Sequence, residues 1–167
     1  MAVGEAILGP ALLTEAELEA WGRAIGRTVE PPVVLALRGE LGAGKSVLAR
    51  AVARGAGVTG ALPSPTFNLV YRYEADRGIV VHHLDLYRLE DAEEVWELGW
   101  AELGEDRDVV LIEWPERAES LLPARRWDIY LAIPEPGAMV RRVRAVRRGA
   151  APALPELPVG GAETGSD

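Results

Sequence analysis

The segment that decides the fold is Val33-Val34-Leu35-Ala36-Leu37, followed after Arg38 by Gly39-Glu40-Leu41-Gly42-Ala43-Gly44-Lys45-Ser46. The first five residues form a continuous apolar run, which is typical of a strand buried on both faces in a parallel sheet. The last eight match the phosphate-binding loop pattern G-x-x-x-x-G-K-[ST] at every fixed position. A helix is predicted directly behind the loop, from Ser46 to Ala56. The order strand, glycine-rich loop and helix predicts a site for a nucleoside triphosphate.

Lys45 is the only lysine of the 167 residues, and every other basic side chain is an arginine. A compact ammonium group follows a terminal phosphate better than a rigid guanidinium does. In such a loop, backbone N–H groups and the helix N-terminus face the phosphate oxygens, and Gly39 and Gly44 allow a close approach. We therefore expect Lys45 to contact the β- and γ-phosphates and the Ser46 hydroxyl to bind Mg²⁺.

A site of this kind needs a further carboxylate near the metal, usually at the end of a neighbouring buried strand. Asp85 follows the predicted strand Ile79–Leu84, and Glu113 follows the apolar run Val109–Ile112. Either carboxylate could hold Mg²⁺ through a water or orient an attacking water, and the residues alone leave this choice open. Ser64 and Thr66 lie between prolines, in a loop that either closes over the γ-phosphate or is simply a stiff turn.

The rest of the chain alternates predicted helices and strands, so we expect an α/β, P-loop NTPase-like fold. Its central sheet should be mainly parallel and flanked by helices, with an antiparallel hairpin formed by Phe67–Tyr73 and Ile79–Leu84. A helix is predicted at Thr14–Ile25, with Thr14 and Glu17 at the spacing of a capping box. The other predicted elements are helices opening at Glu90–Glu94 and at Gly99–Trp100, a strand at Trp127–Ile133, and an edge strand or short helix at Met139–Val146. Residues 1–149 are predicted to form one P-loop ATPase domain, and the Pro-, Gly- and Ala-rich residues 150–167 a disordered tail.

Composition narrows the classes of function. The formal net charge of −8 argues against a broad direct grip on nucleic acid, although a local strip of arginines lies between residues 141 and 148. The absence of cysteine excludes disulfides and thiolate chemistry. No apolar run approaches the roughly 18 residues that would span a membrane, and no export signal precedes the first helix, so the cytoplasm is the expected compartment.

Four motifs together resemble the TsaE (YjeE) family, the small bacterial ATPases of tRNA threonylcarbamoyladenosine biosynthesis. They are the loop at 39–46, Ser-Pro-Thr-Phe at 64–67, His-Leu-Asp-Leu-Tyr-Arg-Leu at 83–89 and Ile-Glu-Trp at 112–114. The resemblance covers about residues 8 to 148. It implies ATP and Mg²⁺ as cofactors and the TsaD and TsaB proteins as partners, with tRNA contacted only indirectly.

The resemblance also assigns roles by position. It implies that Ser46 and Glu113 bind Mg²⁺, that Asp85 is a carboxylate needed near the metal, and that Thr66 belongs to a switch-like loop. The implied nucleotide contacts are the loop residues Glu40, Leu41, Gly42, Ala43, Gly44, Lys45, Ser46 and Val47, with Leu13 and an arginine at 141 or 142. This chain departs from the family at Val47, where a second hydroxyl is common, and we expect weaker nucleotide binding as a result.

Two other functions stay open at this level. A small-molecule kinase would share the fold, and the arginines between 141 and 148 could imitate its lid, but no acceptor-binding segment is visible. A module that binds nucleotide only to hold its shape would show no significant turnover. A guanine-nucleotide switch is a weaker hypothesis, because its Asn-Lys-x-Asp base-reading motif would need a second lysine and is therefore impossible here.

Overall fold

The fold is described from a computed structural model, which covers residues 6–62 and 69–158. Seven strands form one sheet: β1 Ile7–Thr14, β2 Val33–Arg38, β3 Val70–Glu74, β4 Val80–Asp85, β5 Asp108–Glu113, β6 Arg126–Ala132 and β7 Val140–Arg148. The α-helices are α1 Glu15–Thr28 and α2 Lys45–Ala56, and 3-10 segments span Asp76–Gly78, Ala92–Leu98, Trp100–Glu102 and Pro115–Leu121. The α/β class predicted from the sequence is confirmed.

The strands follow the order β1-β7-β6-β2-β5-β4-β3 across the sheet. The four middle strands, β6, β2, β5 and β4, are parallel, and β3 pairs antiparallel with β4 as the predicted hairpin. A second antiparallel part was not predicted, in which β7 pairs with both β6 and β1. The segment 140–148 is thus an inner strand, and β1 forms the edge of the sheet. β1 was not predicted because Gly9 and Pro10 interrupt its alternation of apolar and polar residues.

Alternation along β2 divides the core into two layers. Val33, Leu35 and Leu37 pack with α1 and α2 on one face of the sheet. Val34 belongs to the opposite layer, where the 3-10 segments cover β4, β5 and β2.

The predicted capping box of α1 is present, with the side chains of Thr14 and Glu17 each accepting a hydrogen bond from the other residue's backbone N–H. The helices are very close at Gly26, where a Cβ atom would lie 2.1 Å from the Val52 carbonyl oxygen.

Both histidines of β4 are buried, although adjacent residues of a strand face opposite sides of the sheet. His82 and His83 are each 3% exposed. Both are buried because both faces of β4 are covered, one by α2 and one by the 3-10 segments. His82 Nε2 lies 3.0 Å from Asp108 Oδ1, but the angle does not make a hydrogen bond.

The structure also corrects part of the predicted disordered tail. Residues 150–158 lie against the core, and residues 159–167 are outside the described part of the chain. The backbone oxygens of Pro155 and Pro152 accept hydrogen bonds from the indoles of Trp21 and Trp127, at 2.9 and 2.7 Å. Composition suggested disorder because large apolar groups are few here. The tryptophans instead supply the apolar surface and the donors that hold this segment.

The packing of this segment is testable through Leu154, which is 9% exposed and belongs to the main core. We expect Leu154→Ala to lower the free energy of unfolding by about 2 kcal/mol, because a buried leucine loses its apolar contacts. Urea denaturation measures the change, with Met139→Ala as the control because Met139 is 87% exposed. Equal stability of the two variants would mean that the segment does not pack as described.

Candidate nucleotide-binding site

The glycine-rich loop joins β2 to α2 and depends on glycine at two positions. Gly44 adopts φ 107°, and Gly39 adopts φ 155°, backbone values that other residues rarely take. A Cβ atom on Gly39 would lie 2.3 Å from the Leu131 carbonyl oxygen of β6. The loop is therefore held tightly between strands at its start, and it turns into the first residue of α2 at Lys45.

Lys45 is buried beneath the loop. Its ammonium donates hydrogen bonds to the carbonyl oxygens of Gly39 and, at 2.9 Å, of Glu40, so the side chain curls back across its own loop. It also lies 4.0 Å from the ring centre of Trp114. Burial lowers the pKa of Lys45, and the nearby carboxylates, Glu113 first among them, oppose that change. The ammonium is thus held at the base of the loop by carbonyls that a phosphate could replace.

Glu113 connects the loop to the sheet. This carboxylate is 3% exposed at the end of β5. Its Oε1 accepts a hydrogen bond from the Ser46 hydroxyl at 2.8 Å, and its Oε2 lies 2.6 Å from Nε2 of His83. A histidine within a strand is more often structural than functional, so the residue type alone does not single out His83. Its position two residues before Asp85 on one face of β4 was the signal that could have placed it beside Glu113.

Asp85 and Glu113 are brought together, as expected for the ends of neighbouring parallel strands. They are paired residues in the register of β4 and β5. Asp85 is partly buried, and its Oδ1 accepts a hydrogen bond from the Tyr87 backbone N–H at 3.0 Å. Burial raises the pKa of Asp85, the Tyr87 bond lowers it, and the charge of Glu113 raises it again, so the net shift is upward.

Aromatic side chains line the site beside the carboxylates. Trp114 has a left-handed backbone, with φ 57° and ψ 49°, which turns its ring over Lys45. The rings of Tyr87 and Trp114 lie 5.0 Å apart, and Arg117 lies over the ring of Tyr87. Trp114 therefore lies beside both Lys45 and Tyr87. A positive φ is rare for a bulky residue such as tryptophan, and backbone strain of this kind is found most often at functional sites.

β7 contributes one arginine to the loop. The guanidinium of Arg141 donates to the Gly42 carbonyl oxygen at 3.3 and 3.4 Å and to Ala138 and Val140 near the start of the strand. Arg142 follows it and therefore faces the other side of the sheet. Of the two arginines suggested by the resemblance, the structure brings Arg141 to the loop.

The other predicted contacts fall into three groups. Glu40, Leu41 and Gly42 are exposed at the tip of the loop, whereas Ala43 is buried and Val47 partly buried. Leu13 is fully buried in the core, so its side chain presents no open surface to a ligand. Thr66 lies outside the described residues, and so does the proline-bounded loop around it.

A buried ion cluster anchors the strand that enters the loop. Asp128 on β6 is 1% exposed and accepts hydrogen bonds from Arg38, Arg126 and Arg148 at 2.9 to 3.1 Å. Arg38, the residue before Gly39, is also paired with Glu119. Burial alone would raise the pKa of Asp128, but the hydrogen bonds of the three arginines and the charge of Arg38 outweigh it, so the pKa lies below its ordinary value.

We expect Asp128→Asn to lower the free energy of unfolding by roughly 3–5 kcal/mol at pH 7, because buried guanidinium groups lose their counter-charge. Since the folded pKa is depressed, this stabilisation is present above pH 3.8, the ordinary value, and is lost as the pH falls through the folded pKa. Denaturant unfolding at neutral and acidic pH measures the free energies of unfolding of the wild type and of Asp128→Asn. The difference between the two proteins should become smaller in acid. Glu119→Gln, at an exposed partner of Arg38, is the control and should cost about 1 kcal/mol or less. A gap that does not change with pH would contradict the assignment.

The residues present fit a magnesium nucleotide. Ser46 Oγ and Glu113 Oε1 are hard oxygen ligands that already meet at the N-terminus of α2. Within residues 6–62 and 69–158, no group of three acidic, histidine or cysteine side chains could form a complete metal cage. Mg²⁺ keeps several waters and is usually held by one or two protein oxygens together with substrate phosphates, so the two oxygens of Ser46 and Glu113 are of the kind it takes.

The loop, the helix behind it and the parallel strands on either side define an α/β protein with a P-loop NTPase-like fold. The family model of the threonylcarbamoyl adenosine biosynthesis protein TsaE matches residues 12–142. The chain belongs to the TsaE family.

Related proteins agree with this membership. The chain is 37% identical to tRNA threonylcarbamoyladenosine biosynthesis protein TsaE of Treponema pallidum over 62% of this chain and 75% of that protein. It is 36% identical to the Bacillus subtilis protein of the same name over 69% and 71% of the two chains. The match to the Haemophilus influenzae protein of that name, at 39% identity, spans 56% of this chain and 59% of that protein. The crystal structure of Bacillus subtilis YdiB superposes with a TM-score of 0.63 at 26% identity, covering 82% of each chain.

Hydropathy adds one observation. None of the helices in the described ranges is both long and apolar enough to cross a membrane.

Proposed function

We propose that this protein binds and hydrolyses ATP as an accessory protein in the formation of N6-threonylcarbamoyladenosine at position 37 of tRNAs reading codons that begin with adenine. It acts on, or regulates, a complex of the TsaD and TsaB proteins and is not itself the transferase. Membership of the TsaE family supports the pathway. A role on tRNA in bacteria also favours the cytoplasm as its compartment.

The observation that carries the ATPase part is the contact between Ser46 and Glu113 beside Lys45. A hydroxyl, a buried carboxylate and a buried ammonium converge at the N-terminus of α2. Helix N-termini attract phosphate, because their backbone N–H groups are free and the helix dipole is positive there. A phosphate group bound at this point would contact a positive charge, hydrogen-bond donors and oxygens that can hold a metal ion. Transfer of a phosphoryl group from ATP to water requires groups of these three kinds.

Each side chain has a distinct part in this proposal. Lys45 leaves the carbonyls of Gly39 and Glu40 and donates instead to the terminal phosphate oxygens. Ser46 and Glu113 hold Mg²⁺, which when bound neutralises charge on the phosphates. His83 keeps the second oxygen of Glu113 in place. Asp85, the register partner of Glu113, orients the attacking water, and its raised pKa suits a group that accepts a proton in the transition state.

The test measures phosphate release from ATP by the purified protein, alone and with the TsaD–TsaB complex. We expect slow turnover alone and faster turnover with the complex. Phosphate transfer to an added metabolite, in place of release, would identify a small-molecule kinase. Nucleotide binding without turnover, whether or not TsaD–TsaB is present, would identify a nucleotide-stabilised interaction module, and either result would overturn the proposal.

A further inference from the structure

One half of the sheet presents a row of arginines on the face opposite α1 and α2. Alternation along the strands places five arginines there, and we call this set the arginine face. Its members are Arg38 of β2, Arg126 of β6, and Arg142, Arg144 and Arg148 of β7. The register supports this placement, since Arg148 pairs with Arg126, and Arg144 with Tyr130.

The part of the arginine face on β7 is open to solvent, whereas Arg38 and Arg126 are only 15% and 16% exposed and the neighbouring half of the sheet is covered. The 3-10 segments pack over β2, β5 and β4, with Val34, Val110 and Ile112 beneath them. On β7, by contrast, Arg142 and Arg144 are exposed, and the side chain of Arg148 is 48% exposed. The segment 150–158 packs on Trp21 and Trp127 and so lies on the other face of the sheet.

The charge on this face is opposite in sign to that of the whole protein. Asp128 and Glu119 pair with some of the arginines, but five guanidinium groups against two carboxylates leave the face positive. The chain as a whole has a formal charge of −8. A positive patch on an acidic protein needs a reason, because scattered charges would serve solubility equally well.

Four of the five guanidinium groups, all but that of Arg142, have contacts that restrict their direction. Buried Asp128 bonds Arg38, Arg126 and Arg148 from below. Above it, Arg38 and Arg144 lie 5.9 and 4.9 Å from the ring centre of Tyr130. Cation–π contacts of this kind reduce the freedom that an arginine would lose on binding. The result is a preorganised basic and aromatic surface on a sheet, an arrangement that suits a nucleic-acid backbone.

We infer that the arginine face binds the phosphate backbone of RNA, in the first instance the tRNA that the family's pathway modifies. Arg142 and Arg144 are alternate residues of a strand, so their Cα atoms are about 6.8 Å apart. This spacing is comparable to that of successive phosphates along an RNA strand. Guanidinium groups bind phosphate through two parallel hydrogen bonds. This inference rests on the family's place in tRNA modification, not on ATP hydrolysis. It departs from the expectation, implied by the family resemblance, that tRNA is contacted only indirectly, and it uses the local strip of arginines that the net charge of −8 left open.

The test uses a fluorescein-labelled, unmodified tRNA transcript without nucleotide and measures anisotropy at two salt concentrations. We expect the wild-type protein to bind with a Kd in the micromolar range. The variant Arg142→Ala/Arg144→Ala should bind about 30-fold more weakly near 0.15 M salt, because two phosphate contacts no longer release counterions. The slope of log affinity against log salt should fall by about 1.8 for the same reason.

Two matched variants control for net charge and for chemistry. Arg23→Ala/Arg27→Ala removes the same two charges from exposed positions of α1, on the other side of the sheet, and should bind as the wild type does. Arg142→Lys/Arg144→Lys should keep the salt slope, since lysine also neutralises phosphate. Thermal melting of each variant checks that the fold is intact, which is expected because both positions are exposed.

Three results would overturn the inference. They are the absence of tRNA binding by the wild type at low salt, equal weakening in the α1 control, and unchanged binding in the Arg142/Arg144 variant. If the wild type does not bind tRNA but the Arg142/Arg144 variant no longer joins TsaD–TsaB, the face is a protein docking surface instead. The ATPase proposal is tested separately, because tRNA binding is measured without nucleotide and phosphate release without tRNA.

Discussion

Lys45→Ala is expected to bind ATP about 10- to 100-fold more weakly than the wild type in the presence of Mg²⁺. The ammonium supplies charged hydrogen bonds to phosphate oxygens, each of which is worth about 1.5–3 kcal/mol. No other lysine exists in the chain to replace it. Isothermal titration with ATP and with ADP measures both affinities, and ATP should lose more because the ammonium is expected to contact the γ-phosphate as well.

Arg23→Ala is the control for this experiment, since it removes one exposed positive charge from α1. Arg23 lies beside Gly55, at the end of α2 opposite the loop. A melting curve for Lys45→Ala is needed as well, because the ammonium is buried and bonds two loop carbonyls. If Lys45→Ala melts as the wild type does and binds both nucleotides equally tightly, Lys45 does not contact phosphate, and the site has been misassigned.

Glu113→Gln is expected to retain nucleotide binding but to lose turnover by a factor of about 100 or more. The amide has the same shape and preserves contacts to Ser46 and His83, but it lacks the negative charge that holds Mg²⁺. Single-turnover hydrolysis separates the chemical step from binding. Hydrolysis at the wild-type rate would show that Glu113 is the wrong carboxylate.

Asp85→Asn is the matched comparison, because it changes the paired residue on the neighbouring strand. If Glu113 is the metal-side group, raising the Mg²⁺ concentration should recover part of the activity of Glu113→Gln. Asp85→Asn should show no such recovery if Asp85 orients water. If added Mg²⁺ instead recovers the activity of Asp85→Asn and not that of Glu113→Gln, Asp85 binds the metal and Glu113 orients the water. The sequence left this choice between the two carboxylates open.

Local sequence predicted the centre of the fold well because its signals act over short distances. The apolar run before Gly39, the loop and the helix behind it are neighbours in the chain, and so are Thr14 and Glu17 in their capping box. The strand ends at Asp85 and Glu113 were also correct, since a buried apolar run followed by a carboxylate is visible without any alignment.

Long-range contacts explain what sequence reasoning missed. His83 became the partner of Glu113 only through the register of β4 against β5. Residues 150–158 were assigned to a disordered tail because their own composition is weak, whereas Trp21 and Trp127, far away in the chain, hold them. β1 was missed because its pairing with β7 overrides an unfavourable local pattern.

The sequence by itself determined the glycine-rich loop, its lysine and the family, because these depend on residue types at fixed spacing. Only the tertiary structure decided which side of the sheet each arginine of β7 faces. Arg141 is turned to the loop and Arg142 away from it, although the two are adjacent in the chain. The physical reason is that side chains of a strand alternate between the two faces of the sheet. The register in which β7 pairs with β1 and β6 therefore assigns each of its side chains to a face, and this register depends on residues distant in the chain.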